Sequence, residues 1–201
     1  MTTATPVDDI TAVILAGGKA RRMDGEDKGL ITLHGRNMVE YILTALQPQA
    51  GNILINANRN HEQYGAYGLP VVADMLGDYF GPLVGMATGM HTTDKPYIVT
   101  VPCDSPFIPA TLVETLYHSL DSDQADISVA HDGSRIQPVF ALIRCELLPS
   151  LLSYLDEGGR KIDTWYNQHR LALADFSGSR DTFLNLNTPA DRLALENRFA
   201  G

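Results

Sequence analysis

The stretch Thr11-Ala-Val-Ile-Leu-Ala16 is continuously apolar and ends at the glycine pair Gly17-Gly18. A short apolar run bounded by turn residues predicts a strand that is buried on both faces, as strands of parallel sheets are. Further candidate strands lie along the chain at residues 52–57, 69–73, 97–101, 125–130 and 138–143. Together these runs predict a central sheet.

Apolar residues at helical spacing predict amphipathic helices between these strands. They occupy residues 38–46, 112–120 and 147–155, and Thr188-Pro189 provides the N-cap and first residue of a last helix. Alternating strands and helices predict an α/β fold. We expect a single three-layer domain over residues 1–201, with a mainly parallel, Rossmann-like sheet and helices on both faces. Ligands of such sheets bind beyond the carboxyl ends of the strands.

Net charge, cysteine content and the length of the apolar runs exclude several classes of function. The 201 residues carry a formal net charge of −9, which argues against a nucleic-acid partner because such proteins present a basic face. The two cysteines form no CxxC motif, as expected in a reducing compartment. Residues 1–9 have neither the basic segment nor the apolar segment of a signal peptide, so none is expected. No apolar run approaches the length of a membrane span. We therefore expect a cytoplasmic protein without a membrane partner.

The loop after the first strand concentrates positive charge. Adjacent glycines turn backbone N–H groups toward a ligand, and basic side chains follow at Lys19, Arg21, Arg22 and Lys28. In an acidic protein this pattern indicates an anion site, for which a polyphosphate is the obvious ligand. The loop matches neither the dinucleotide fingerprint nor the P-loop. The alternative interpretation is a solvated basic turn.

A carboxylate follows the run at residues 97–101. Asp104 lies in the turn Pro102-Cys-Asp-Ser-Pro106, where the carboxyl end of a buried strand is expected. Magnesium binds one or two carboxylates together with phosphate oxygens and water, so Asp104 is a candidate metal ligand. The alternative is an N-cap for the helix that starts near Pro109. Cys103 is expected only to pack.

The loop resembles a known signature. Residues 15–29 are similar to the nucleotidyltransferase pattern Leu-Ala-(Gly/Ala)-Gly-x-x-x-Arg-Met followed by a lysine, and most similar to its molybdenum cofactor guanylyltransferase branch. Matching segments follow in order at residues 56–59, 81–85, 102–106 and 185–189, so the resemblance covers residues 11 to about 195. One residue departs from the pattern, because Asp24 stands where the family usually has glycine.

The resemblance implies roles for individual residues. Arg22, Lys28 and Asp104 would be catalytic, with Asp104 also the ligand of Mg²⁺. The nucleotide would contact Leu15, Ala16, Gly17, Gly18, Lys28, Asn56, Asp74 and Asp104. Asn56 and Asp74 could instead be turn-forming residues. Residues of about 10–110 would form the nucleotide-binding half, and residues of about 125–195 the acceptor-binding half.

The implied reaction transfers GMP from GTP to molybdopterin, with or without molybdenum, and releases pyrophosphate. A phosphate acceptor is already ionised at neutral pH, so no general base is needed, and catalysis would depend on positioning and charge. Candidate acceptor-binding residues are Arg135, Arg160, Asn185 and Asn187, and the two asparagines are expected to alternate along a strand and share one face. Their alternative is exposed polar residues without a ligand.

Three other functions fit parts of this sequence. A cytidylyltransferase acting on the same acceptor shares most motifs, although it usually carries alanine at the position of Gly17. Sugar-phosphate nucleotidyltransferases are generally longer. A non-catalytic module that binds a nucleotide or cofactor would be consistent with Asp24 but has little use for Arg22, Lys28 and Asp104 together.

Recipient molybdoenzymes or their chaperones are expected partners.

Overall fold

A computed structural model describes residues 7–17, 27–77, 81–185 and 191. A seven-stranded sheet forms its centre, and a two-stranded hairpin stands apart from it. The hairpin strands are β2 (Thr32–Leu33) and β3 (Arg36–Asn37). The strands of the sheet are β1 (Ile10–Leu15), β4 (Asn52–Asn56), β5 (Val71–Val72), β6 (Tyr97–Pro102), β7 (Ile127–His131), β8 (Ile136–Arg144) and β9 (Leu171–Asp175).

The sheet has the strand order β5-β4-β1-β6-β8-β7-β9. All neighbouring strands pair in parallel except β8, which is antiparallel to both β6 and β7. The sheet is thus mainly parallel, as predicted. Leu15 pairs with Asn56 on one side and with Pro102 on the other, so β1, β4 and β6 end together. We call this end, where β5, β7 and β9 also finish, the carboxyl edge.

Helices cover both faces of the sheet. They are α1 (Met38–Leu46), α2 (His61–Gly65), α3 (Pro82–Thr92), α4 (Leu112–Ser122), α5 (Leu148–Asp156) and α6 (Ile162–Tyr166). Buried residues of α1 and α4 pack with Ile14 and its neighbours on one face. Buried residues of α3, α5 and α6 pack with Val13 on the other face. Because alternate residues of β1 serve opposite cores, the domain has three layers, and the predicted fold class is confirmed.

Helix α1 begins where its sequence predicted. Asn37 is the N-cap of a capping box, and its backbone N–H donates to Glu40 Oε1 at 3.1 Å. Such a box satisfies N–H groups that have no partner within the helix. The predicted strand at 69–73 is confined to Val71–Val72. The predicted start of the last helix, Thr188-Pro189, lies outside the described residues.

Helix α3 packs unusually closely on the sheet through two glycines. A Cβ atom on Gly89 would lie 2.7 Å from Val13 Cγ2, and one on Gly85 would lie 2.6 Å from Leu15 Cδ2. Only glycine permits this separation without displacing β1. Since Gly85 lies by Leu15 at the carboxyl edge and Gly89 lies by Val13, the helix begins at that edge and runs antiparallel to β1. Its first turn therefore borders the predicted nucleotide site.

Among the described residues, no helix is both long enough and apolar enough to cross a bilayer.

Candidate active site

Two of the predicted catalytic residues are in direct contact. Lys28 Nζ lies 2.8 Å from Asp104 Oδ2, although the residues are 76 positions apart. The lysine begins a 3₁₀ turn, Lys28–Leu30, and the aspartate is the second residue after β6. Their side chains are 24% and 13% exposed, so both can reach a ligand above the carboxyl edge. The third predicted catalytic residue, Arg22, lies outside the described residues, as does Gly18.

The turn that carries Lys28 is held by a buried carboxylate, Asp27. Its Oδ1 accepts from Tyr64 Oη at 2.6 Å and from the Gly29 N–H at 3.3 Å. Its Oδ2 accepts from Asn60 Nδ2 at 2.9 Å, with Arg59 Nε at 3.4 Å. Burial is the main reason that the pKa of the Tyr64 phenol is raised. The phenol therefore stays protonated and acts as a donor.

A second polar cluster lies at the ends of β4 and β5. Asn56 Nδ2 donates to Asp74 Oδ1 at 2.9 Å, and Asn58 Nδ2 donates to Asp74 Oδ2 at 2.7 Å. The Asp74 backbone N–H returns a bond to Asn58 Oδ1 at 2.8 Å. A Cβ atom on Gly17 would lie 3.2 Å from Asn58 Nδ2. The structure thus brings Asn56, Asp74 and Gly17 together, as expected of residues around one ligand.

The backbone at Leu15 and Ala16 is fixed from both sides. The Leu15 carbonyl accepts from the Cys103 N–H at 3.1 Å, and the Ala16 N–H donates to the Asn56 carbonyl at 2.8 Å. These bonds extend the sheet by one residue and position Gly17 next to Asn56. Burial raises the pKa of the Cys103 thiol, which therefore stays protonated. Its side chain belongs to the core cluster on the α1 and α4 face.

The family match follows the same region of the chain. Residues 12–171 match the model of the MobA-like NTP transferase domain. A molybdenum cofactor guanylyltransferase from Shewanella sediminis is 47% identical over 95% of this chain and 97% of its own. One from Shewanella halifaxensis is 46% identical over 92% and 93%. The chain belongs to the molybdenum cofactor guanylyltransferase family.

Membership confirms the resemblance inferred from the signature loop and makes the chain a nucleotidyltransferase. The fold agrees at a greater evolutionary distance. The crystal structure of molybdopterin-guanine dinucleotide biosynthesis protein A from Archaeoglobus fulgidus superposes with a TM-score of 0.78 at 19% identity, covering 94% of this chain and 98% of that one. The arrangement of sheet and helices is thus shared even where few residues are identical.

One acceptor candidate of this guanylyltransferase family member differs from expectation. Asn185 was expected in a strand with Asn187, and this is wrong for Asn185, which follows the 3₁₀ turn Arg180–Phe183. The Phe183 ring packs edge-on against Phe140, with centroids 5.0 Å apart. Asn187 lies outside the described residues.

Asn185 nevertheless contacts the predicted nucleotide-binding half of the family member. Its Oδ1 accepts from Ser105 Oγ at 2.5 Å, and Ser105 is fully buried beside Asp104. A hydroxyl without this partner would be costly to bury. The contact therefore fixes the turn that carries the predicted metal ligand, and it joins a residue of the predicted acceptor-binding half to that turn.

The two arginine candidates occupy different surroundings. Arg160 lines a cavity of about 720 Å³ together with Met75, Leu76 and Leu152. One of its guanidinium nitrogens also donates to the Leu155 carbonyl at 2.8 Å, at the end of α5. Arg135 lies in the turn between β7 and β8, 77% exposed, with Nε 3.8 Å from Asp132 Oδ2. Only Arg160 is thereby placed against the loop that follows Asp74.

Sequence reasoning missed the residues that support the site. Asn58 and Arg59 belong to the matching segment 56–59 without an individual role, and no role is predicted for Asn60 or Tyr64. The signal for Asn58 was its position, because polar residues just beyond adjacent parallel strands meet at one edge. Tyr64 gave no such signal, since its contact with Asp27 depends on how α2 packs.

Proposed function

We propose that this chain transfers GMP from GTP to molybdopterin, forming molybdopterin guanine dinucleotide and pyrophosphate. The observation that carries the proposal is the Lys28–Asp104 pair, 2.8 Å apart at the carboxyl edge. A cation and a carboxylate at one point suit a metal–triphosphate complex, because phosphate oxygens can take the lysine while the carboxylate takes the metal. The family names favour guanine as the base.

The reaction is a substitution at the α-phosphorus of GTP. An ionised oxygen of the acceptor phosphate forms the new P–O bond, while the bond between the α-phosphorus and the bridging oxygen breaks and pyrophosphate leaves with that electron pair. No proton has to be removed from the acceptor. The chain's contribution is positioning and charge neutralisation, which we assign to Lys28 and Arg22.

We assign the Mg²⁺ ligand to Asp104. The described residues contain no group of three or more histidine, cysteine or acidic side chains that could hold a metal by themselves. This suits magnesium, which commonly takes one or two carboxylates and completes its shell with phosphate oxygens and water. When bound, the ion would supply charge stabilisation to the phosphate oxygens. Lys28 would then turn from Asp104 to the triphosphate.

The remaining assignments follow the two halves of the chain. We propose that the nucleotide binds in the half of about 10–110, at the backbone of Leu15, Ala16, Gly17 and Gly18 and at Asn56 and Asp74. The acceptor would bind in the half of about 125–195, at Arg135, Arg160, Asn185 and Asn187. The cavity beside Arg160 is lined by apolar side chains and also by Ser153, Asp156 and the Arg160 guanidinium; its apolar part suits an aromatic ring system and its guanidinium suits a phosphate. A cytoplasmic location and delivery to molybdoenzymes or their chaperones complete the proposal.

Thermal stability with each of GTP, CTP, ATP and UTP, with and without Mg²⁺, tests the nucleotide. A ligand at a hundredfold excess over its Kd stabilises the folded state by about 2.7 kcal/mol. We expect selective stabilisation by GTP that Mg²⁺ increases, and release of pyrophosphate once molybdopterin is added. Preference for CTP would make the chain a cytidylyltransferase. Binding without pyrophosphate release would support a non-catalytic module.

A further inference from the structure

The carboxylate of Asp27 is buried at the base of the catalytic lysine. The whole residue is 8% exposed and its side chain 4% exposed. Hydrogen-bond donors from several parts of the chain converge on it: a phenol from α2, an amide from the segment after β4, and a backbone N–H from its own turn. The Arg59 guanidinium adds an ion pair, with Nε 3.4 Å from Asp27 Oδ2. Burying a carboxylate is expensive unless it is hydrogen-bonded and paired. Here both conditions are met.

The cluster is a costly way to stabilise a fold. Replacing a buried ionic cluster by packed apolar side chains is often neutral or stabilising, so stability alone does not account for it. The position of the cluster next to Lys28 indicates that it orders the lysine's backbone. Asp27 directly precedes Lys28, and the Gly29 N–H that follows it donates to Asp27 Oδ1, so the residues on both sides of Lys28 are held in place. When the backbone of a lysine is already fixed, less conformational entropy is lost in holding its ammonium group at one position.

Gly29 permits this arrangement. A Cβ atom at position 29 would overlap with the Tyr64 hydroxyl and would lie 3.3 Å from Cys103 Cβ. The absence of a side chain thus lets the phenol reach Asp27 beneath the turn. The same cluster also includes Arg59 and Asn60, which follow the strand that ends at Asn56. The lysine turn is thereby fastened to the strand that carries predicted nucleotide contacts.

We propose that Asp27 is the positioning residue for Lys28, and that Tyr64 acts with it. The carboxylate touches neither substrate nor metal in this proposal. It sets the height and direction of Lys28 above the carboxyl edge, so that the ammonium meets Asp104 before GTP binds and the triphosphate afterwards. This inference rests on the proposed function, because it assigns to Asp27 an effect on phosphate transfer exerted through Lys28.

Asp27→Asn and Tyr64→Phe test the proposal in the full chain, through steady-state pyrophosphate release with GTP, Mg²⁺ and molybdopterin. Misplacement of a catalytic group by about 1 Å can cost about 10²-fold in rate. We expect kcat to fall roughly 10- to 100-fold in Asp27→Asn and about threefold to tenfold in Tyr64→Phe, with KM for GTP changing less than kcat. The exposed Asp94→Asn, in the loop between α3 and β6, is the matched control and should behave as wild type.

The decisive measurement repeats both substitutions in a Lys28→Ala background. If Asp27 acts through Lys28, its substitution can lower kcat only while the lysine is present. The double variants should then be no slower than Lys28→Ala alone. Losses that multiply would mean a merely structural role and would overturn the proposal. So would a wild-type kcat in Asp27→Asn.

Two further results keep the outcomes separate. Thermal unfolding of each variant identifies any that fail to fold. If Asp27→Asn fails in this way, the decision rests on Tyr64→Phe, which removes a single oxygen atom. Absence of pyrophosphate release from the wild type would contradict the proposed function itself, whereas a normal wild type with multiplying losses contradicts only the role of Asp27.

Discussion

Asn58 and Asp74 bond to each other in both directions, side chain to side chain at 2.7 Å and backbone to side chain at 2.8 Å. This reciprocal pair orients the Asp74 carboxylate toward Asn56 and Gly17, where the nucleotide is proposed to bind. We expect Asn58→Ala to weaken GTP binding by about tenfold, because removing one partner of a charged hydrogen bond costs about 1.5–3 kcal/mol. Calorimetric titration with GTP and Mg²⁺ would measure it.

The matched control for this substitution is Asn52→Ala, at the exposed start of β4, the strand that precedes Asn58. It should leave GTP affinity unchanged. Equal affinities in Asn58→Ala and the wild type would show that Asp74 does not need its partner, or that it does not contact the nucleotide.

The contact between Lys28 and Asp104 predicts that replacing either residue lowers turnover strongly. Lys28→Ala and Asp104→Ala should each lower turnover by roughly 10²–10³, the size observed when one preorganised electrostatic contact is removed. Asp104→Ala should also lose most of the Mg²⁺ dependence of GTP binding, whereas Lys28→Ala should keep it. Pyrophosphate release and thermal shifts with and without Mg²⁺ would separate these effects.

Lys95→Ala is the control for the lysine, since Lys95 lies in the loop before β6, at the opposite end of the sheet. Near-normal turnover in Lys28→Ala or Asp104→Ala, with the fold intact, would refute the assignment of these residues.

Gly85 links the packing of α3 to the nucleotide site. An alanine Cβ there would overlap with Asn56 Oδ1 and would lie 2.6 Å from Leu15 Cδ2. Overpacking of this kind costs about 1–3 kcal/mol, which exceeds the roughly 1 kcal/mol that alanine gains over glycine within a helix. We expect Gly85→Ala to lower both the free energy of unfolding and the affinity for GTP, measured by urea denaturation and titration.

Gly65→Ala provides the comparison, because the added Cβ at the end of α2 has no atom within 4 Å apart from its chain neighbours and the backbone of its own helix. Its stability should equal or slightly exceed that of the wild type. If Gly85→Ala were equally stable and bound GTP normally, the close approach of α3 would have no functional consequence.

The cavity beside Arg160 predicts an effect on the acceptor alone. Arg160→Ala should raise KM for molybdopterin by about tenfold while leaving KM for GTP unchanged, since a charge-assisted hydrogen bond contributes about 1.5–3 kcal/mol. A smaller increase is expected for Arg135→Ala, because that side chain is 77% exposed and its charge is screened by water.

Arg160 also donates to the Leu155 carbonyl, so thermal unfolding must accompany the kinetics. Arg160→Lys retains the charge and should recover part of the acceptor affinity. A rise in KM for GTP instead of molybdopterin would move Arg160 into the nucleotide site.

The sequence predicted elements whose pattern is local. Apolar stripes identified α1, α4 and α5 because each helix buries one side only. Helix α3 has no such stripe, since residues 83–90 are buried on all sides, and it was not predicted. Lys28 and Asp104 were identified individually by resemblance, but their contact and the support from Tyr64 depend on tertiary packing, which periodicity does not encode.

The bond between Ser105 and Asn185 spans 80 positions and joins the turn of Asp104 to a late part of the chain. During synthesis the ribosome makes the signature loop, the lysine turn and β6 long before residue 185 emerges. Until then the Ser105 hydroxyl has no Asn185 to bond, and the turn beside it is unfinished. A growing chain can thus assemble most of its sheet while the turn of Asp104 is still incomplete, and the active site is finished only near the end of synthesis.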